Sequence, residues 1–447
     1  MKRPFTRRDF IKTTALATTA TLAAPYVRGA YAAGKLTLGI WDHWVPGAND
    51  NMTKLCQEWG EKTKTEVQID YLTSVGDKDI ITATAEAQAG AGHDIMTHRA
   101  WQVAVHRSKL EPLDGVMAEL EKKAGKVNEV AHFLARHDGH WYGIPTSTGS
   151  QVKPCCSRLD LYKQHAGIEL DKIFPAGDRD PKLTDTWTWD KYLETATKLK
   201  AAGSPVGNPL GQTSDAIDWV GALYRSFGSV MIDEKDNIKV NSDATRKVLE
   251  FAKKLAEQMP PDVFAWDDAS NNRWLISGKG AGIMNPPSAW AVAKRDAPQV
   301  AAQCWTHDMP KGPQGRFVGA LPFFFGVWQF SKNKQAAKDL IQWLSEKEQA
   351  AKFVAASSGY DLPSFPSYYD FDTWKTVEPP KGTVYNYPPR GDQQVSVAAY
   401  PARPDVAAQV YNSATMVKMI AKVSQGGEPI DATVKWAERE LEGFLRT

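Results

Sequence analysis

Leu36-Thr37-Leu38-Gly39-Ile40-Trp41-Asp42-His43-Trp44 is the stretch that decides the fold. An apolar run too short for a helix, ending in a polar and aromatic cluster, predicts a buried strand whose carboxyl end carries chemistry. Beyond it, Met52, Leu55, Cys56 and Trp59 recur at helical spacing, and Val67, Ile69 and Tyr71 alternate as a second strand. A helix over 80–89 stops at Gly90 and Gly92, and 94–97 supplies a third strand. Strand, helix, strand, helix, strand at this spacing predicts an α/β fold with a parallel sheet and right-handed crossovers. Ligands of such sheets gather at the carboxyl ends of the strands, here the segments 41–50 and 97–101.

Upstream, Arg7-Arg8-Asp9-Phe10-Ile11-Lys12 forms a twin-arginine block, followed by a Thr/Ala-rich, mildly apolar run to about Val27. Ala30-Tyr31-Ala32 then gives a small-x-small cleavage site, so residues 1–32 read as a twin-arginine signal peptide and the remainder as an exported, periplasmic protein. Removing Lys2, Arg3, Arg7, Arg8, Lys12, Arg28 and Asp9 from 54 basic and 52 acidic residues leaves 48 and 51, a net charge of −3. Without basic blocks this balance argues against a nucleic-acid partner. About 415 residues after the leader exceed what one core usually supports, so two lobes are expected. Sixteen Trp are a surplus that suggests flat ligand surfaces as well as core.

No CxxC pair or HExxH motif occurs, and no metal or cofactor is expected. Cys56, Cys155, Cys156 and Cys304 read as small buried residues, with a long-range bridge left open. His137 and His140 flank a turn at Asp138-Gly139. Catalytic signatures are missing too: there is no GxSxG elbow, and Gly278-Lys279-Gly280-Ala281-Gly282 lacks phosphate-loop spacing. The adjacent acids Asp267 and Asp268 do not flank one bond from opposite faces and read as a solvated turn.

Farther along, helices starting at Trp189 and after Ser242, and a strand over 281–285 ending in Pro286-Pro287-Ser288-Ala289-Trp290, belong to a second lobe. Ala337, Leu340, Ile341 and Leu344 line a later helix. Residues 361–404, rich in Pro, Tyr and Asp, read as a long loop that wraps a surface or lines a site.

Several segments in order resemble the extracellular solute-binding proteins, family 1, of bacterial sugar-type ABC importers. They are His93-Asp94-Ile95-Met96 with Leu110-Glu111-Pro112-Leu113-Asp114, then Asp138-Gly139-His140-Trp141-Tyr142-Gly143-Ile144-Pro145, and Thr186-Trp187-Thr188-Trp189. Next come Gly278-Lys279-Gly280-Ala281-Gly282-Ile283-Met284 through Trp290, and Pro310-Lys311-Gly312-Pro313 with Ser331-Lys332-Asn333. Lys153-Pro154-Cys155-Cys156-Ser157 departs from the family, which more often has aromatic residues there. The resemblance implies the type II periplasmic binding fold, two lobes, each a mostly parallel sheet flanked by helices and joined by hinge strands. Crossings are implied near Pro145, Pro310 and Gly359, with 33–146 and 314–357 as the first lobe and 147–313 and 358–447 as the second. It further implies a monomer that closes on a solute and delivers it to the transmembrane subunits of an ABC permease, and not an enzyme.

A sugar or polyol needs aromatic plates for its C–H face and polar groups for its hydroxyls. Trp41, Asp42, His43, Trp44, Asn49 and Asp50 offer both after the first strand, with Arg99 and Trp101 after the third. Trp266, Asp267 and Asp268, then Asn285, Ser288 and Trp290, offer a second half-site. Thr146, Ser147 and Thr148 stand at the hinge, and Gly319, Phe324, Gly326 and Tyr360 complete the expected pocket. An amine or other non-sugar solute is the alternative cargo.

Overall fold

The structure, a computed structural model, describes residues 35–376 and 391–446. The expected leader and cleavage site, and part of the expected loop over 361–404, lie outside the described residues.

The first strand, Lys35–Trp41, lies in parallel between Glu66–Leu72 and Ile95–Arg99. Leu36, Leu38 and Ile40 are almost fully buried, as are Thr37 and Trp41 on the other face. Burial on both faces is what a nearly continuous apolar run predicts for a sheet covered by helices. The helix Lys78–Ala89 ends at Gly90, whose φ of 62° suits the left-handed cap that glycine adopts without steric cost. Two antiparallel strands, Phe323–Val327 and Ile144–Pro145, complete this five-stranded sheet. The helix Lys334–Leu344 covers it with Ala337, Leu340, Ile341 and Leu344, the residues its periodicity selects.

The second lobe differs from the expected mostly parallel sheet. Cys155–Arg158 lies antiparallel between Cys304–His307 and Gly282–Met284. Gly315–Leu321 pairs antiparallel with Gln151–Lys153 and parallel with Gln393–Ser396. Of the antiparallel strands, only Gln151–Lys153 enters directly from the other lobe; Gly282–Met284 and Cys304–His307 follow the helices Ser270–Ile276 and Pro298–Ala301 and still run antiparallel to Cys155–Arg158. All four cysteines are free and buried. His140 is exposed, whereas His137 is buried with Nε2 2.9 Å from the Leu134 carbonyl oxygen.

Strand pairing places the crossings. Ile144–Pro145 belongs to the first sheet and Gln151–Lys153 to the second, so the chain first crosses over 146–150. It returns at Pro322, between the strands Gly315–Leu321 and Phe323–Val327, rather than near Pro310. Residues 361–376 stay with the first lobe instead of leaving at Gly359. The Ser364 carbonyl accepts from the Asn128 N–H at 2.8 Å, and Lys347 pairs with Asp370 at 2.9 Å. The rings of Phe365, Tyr368, Phe371 and Trp374 stack in series at 5.4 to 5.8 Å. That aromatic packing, at every third residue, holds the segment down.

Candidate functional site

The carboxyl ends of strands from both lobes meet at one cleft. Trp41 ends the first strand, Ser74 follows the second, and Arg99 ends the third. From the second lobe, Asn285 and Pro286 follow Gly282–Met284, and Ser214 and Ser288 open the helices Ser214–Phe227 and Ser288–Asp296. Gln151, Leu321, Phe323 and Tyr360 line the cleft beside the crossings, and Trp44, Asp215, Asp268 and Asn272 complete it. The empty volume is about 330 Å³, including solvent at the mouth. Arg99, Ser214 and Leu321 also line a second hollow, with Trp101, Gln102, Thr213, Tyr411 and Asn412.

The first-lobe wall is aromatic. Trp41 lies 5.1 Å from Phe323 and 6.4 Å from Tyr360 between ring centroids, nearly parallel to the latter. The Tyr360 hydroxyl donates to Gln151 Oε1. Arg99 is the cation of this wall. Its Nε stands 2.8 Å from Asp79 Oδ2, and its Nη2 2.9 Å from Asp79 Oδ1 and 2.8 Å from Asp77 Oδ1. Such a fork fixes the guanidinium plane. Burial alone would lower its pKa, but Asp79, Asp268 and Asp77 hold it above the ordinary value.

The second-lobe wall is a polar network. Lys153, fully buried, stands 2.6 Å from Asp215 Oδ1 and 2.8 Å from Asp218 Oδ2. Asn271 Nδ2 donates to Asp215 Oδ2 at 2.8 Å, and Asn272 Nδ2 donates to Ser288 Oγ at 3.1 Å. The amides of Asn272 and Asn285 meet at 2.6 Å. Burial, and then Asp215, push the Asp268 carboxyl up to about 6. Burial would depress the Lys153 ammonium, but Asp215 and Asp218 outweigh it and raise it.

Of the residues singled out from sequence, the structure brings Trp41, Trp44, Arg99, Asp268, Asn285, Ser288 and Tyr360 together at the cleft. The others it places elsewhere. Asp42 is exposed and accepts from Asn49 Nδ2 at 2.7 Å, while Asn49 Oδ1 accepts the His43 N–H. His43 Nδ1 accepts the Val45 N–H at 2.9 Å, so its Nε2–H points to Asp361 at 3.0 Å. Asp50 is exposed in the first turn of Ala48–Thr63. Trp101 packs edge-on to Phe133 and faces the adjoining hollow, and Trp266 packs on Trp274. Trp290 is buried with Lys294 over its ring at 4.7 Å. Thr146, Ser147 and Thr148 are buried in the crossing, where Thr146 Oγ1 accepts the Thr148 N–H. Phe324 is fully buried in its strand. A Cβ on Gly319 would stand 2.4 Å from the Asp218 carbonyl oxygen, and one on Gly326 2.7 Å from His98, so both mark close packing. The acids 267 and 268 part company: Asp267 is exposed and accepts from Ser270 and Arg273, whereas Asp268 lines the cleft. Asp215, Asn272 and Gln151 went unseen because each sits in a segment that reads as an ordinary helix or strand. Among the described residues no group of three or more His, Cys, Asp or Glu could hold a metal ion, and no helix is long and apolar enough to cross a membrane.

Residues 54–380, most of the chain, match the family described as bacterial extracellular solute-binding protein. The chain belongs to that family. This solute-binding protein is 22% identical over 254 residues to the arabinooligosaccharide-binding protein of Halalkalibacterium halodurans, covering 55% of this chain and 52% of that one. It is 22% identical over 279 residues to a binding protein of Brucella abortus, covering 61% of this chain. The solute-binding protein spans 62% of that relative's length. Its fold matches maltose-bound MalE3 of T. maritima with a TM-score of 0.71 at 18% identity, covering 91% of this chain and 99% of the other. It also matches an ABC transporter solute-binding protein of Agrobacterium vitis S4 with bound D-mannitol, at a TM-score of 0.64 and 20% identity, covering 92% and 98%. These likenesses show the two-lobed architecture.

Proposed function

We propose that this protein is the periplasmic binding component of an ABC importer, capturing a sugar or polyol in the cleft and delivering it to membrane permease subunits. The observation that carries the reading is the cleft itself. Aromatic rings on one wall suit the C–H face of a sugar, and Asn272, Asn285, Ser288, Asp215 and Asp268 on the other suit its hydroxyls. Closure of two lobes on such a solute strips it of water, and is driven by the contacts made only in the closed state. The structural neighbours crystallised with maltose and D-mannitol support this class of cargo.

The same geometry supports a binding role without turnover. The His43–Asp361 pair has the ring's second nitrogen taken by the Val45 N–H, so it cannot accept a proton from a nucleophile there. Export through the twin-arginine route is proposed from Arg7 and Arg8, and action as a monomer from the self-contained cleft. The test is a thermal-shift screen of sugars, polyols and amines followed by mass spectrometry of the released solute. A sugar or polyol should raise the melting temperature and return unchanged. Steady conversion, or stabilisation by none but unhydroxylated amines, overturns the reading.

A further inference from the structure

Asp268 faces the cleft without a cation of its own. It accepts long hydrogen bonds from the Asp215 N–H at 3.3 Å and from Ser214 Oγ at 3.4 Å, and no ion pair reaches it among the described residues. The two nearby cations are already committed, Lys153 to Asp215 and Asp218, and Arg99 to Asp79 and Asp77. On its own segment, Arg273 is bound to Asp267 at 2.9 Å. The cleft therefore carries excess negative charge in a site that closure dries, where an uncompensated carboxylate is costly.

A second observation is independent of charge. Trp41 lines the cleft at 3% exposure, and its indole N–H finds no acceptor among the described residues. Buried donors are nearly always paired, so this one calls for an oxygen from the solute. Trp44, half-buried in the same lining, is of the ring type that best favours a cation beside it.

An anionic solute would add to the excess charge. A neutral sugar would serve Trp41 and leave Asp268 uncompensated. An unhydroxylated amine would serve Asp268 and leave Trp41, Asn285 and Ser288 dry. We infer that the preferred cargo is an amino sugar or amino polyol, a hydroxylated solute whose protonated amine meets Asp268 while a hydroxyl oxygen accepts from the Trp41 indole. The inference rests on the interlobe cleft being the solute site. Burial and the neighbouring Asp215 raise the Asp268 carboxyl toward 6, and an ammonium there lowers it again, so binding of such a cargo weakens as the pH falls through that range.

The experiment is titration calorimetry at pH 7.5 and 5 with matched pairs: D-glucosamine and D-glucose, D-galactosamine and D-galactose, and 1-amino-1-deoxysorbitol and sorbitol, alongside D-glucuronate. In every pair that binds, the amino member should bind about tenfold more tightly at pH 7.5, and the advantage should shrink at pH 5. Asp268→Asn should erase the advantage, bringing the amino member down to the affinity of its neutral partner in the same variant, and Trp41→Phe should weaken both members alike. Melting curves of both variants establish that they fold. Equal binding within the pairs, or an advantage that survives Asp268→Asn, overturns this inference and leaves a neutral-sugar binder standing. Failure of every hydroxylated solute, with choline or spermidine binding instead, overturns the sugar reading as well.

Discussion

Asp361 Oδ1 accepts from His43 Nε2 at 3.0 Å and from the Gly149 N–H at 2.7 Å. Both side chains of the His43–Asp361 pair are 1% exposed. One carboxylate thus joins the loop after the first strand, the first crossing and the segment that follows the helix Lys347–Ala356. Gly149 occupies the left-handed region there at φ 85°, and a Cβ on it would stand 3.0 Å from the Trp41 ring. His43→Ala strips this buried carboxylate of its side-chain partner and should cost about 2 to 4 kcal/mol of stability. Urea unfolding measures it; an unchanged midpoint would reject the tie.

Lys153 holds two buried carboxylates together, so Lys153→Met should be among the most damaging single changes, at about 3 to 5 kcal/mol. Lys153→Met with Asp218→Asn should recover part of the loss by removing one stranded charge. If the double variant is no more stable than the single one, the pairing with Asp218 contributes nothing.

Asp268 yields a pH-dependent prediction for the protein without cargo. Its folded carboxyl sits at about 6 against an ordinary 3.8, so the folded state holds this proton more tightly than the unfolded one. Stability from this group is therefore complete below about pH 4 and is lost as the pH rises through 6. Asp268→Asn removes the penalty, and the variant should exceed the parent by about 1 to 3 kcal/mol near pH 7.5, with the gap closing at about pH 4. Melting curves across that range decide the sign.

Two tryptophans should behave oppositely. Trp44 is half-buried at the cleft, so Trp44→Ala should weaken cargo binding by roughly 5- to 150-fold while the fold survives. Trp290 is packed in the second lobe beneath Lys294, so Trp290→Ala should lower stability by about 3 to 5 kcal/mol. Calorimetry and unfolding on the same two proteins test both statements.

Replacing Arg7 and Arg8 with Lys should block export, leaving the fold of the remainder unchanged. Cell fractionation reads the outcome, and normal periplasmic levels of the variant would contradict a twin-arginine route.

The parallel start of the first lobe was legible because Leu36, Leu38 and Ile40 lie in a sheet built from strands adjacent in sequence. The return at Pro322 was not, since Gly315–Leu321 and Phe323–Val327 read as one apolar run and their partners lie far away along the chain. Residues at strand ends, Trp41, Arg99 and Asn285, were readable as cleft residues from position alone. Trp290 misled because its place after a strand looks the same whether its ring turns to the cleft or to Lys294. Asp215 escaped notice because an acid in the first turn of a helix is ordinary, and only the buried Lys153 opposite gives it meaning.

Pro322 separates the strands of two lobes by a single residue, and both of its neighbours, Leu321 and Phe323, line the cleft. Cargo touching them sits on the axle of the machine, where a rotation of one lobe against the other changes distances least. If the cleft is the solute site, such contacts would form when a solute first lands and would do little to tell open from closed. Leverage belongs to groups borne by one lobe alone, such as Arg99 on one side and Asn285 and Ser288 on the other. Changes at the axle should therefore alter how readily a solute docks, and changes at the rim how completely the jaws shut on it.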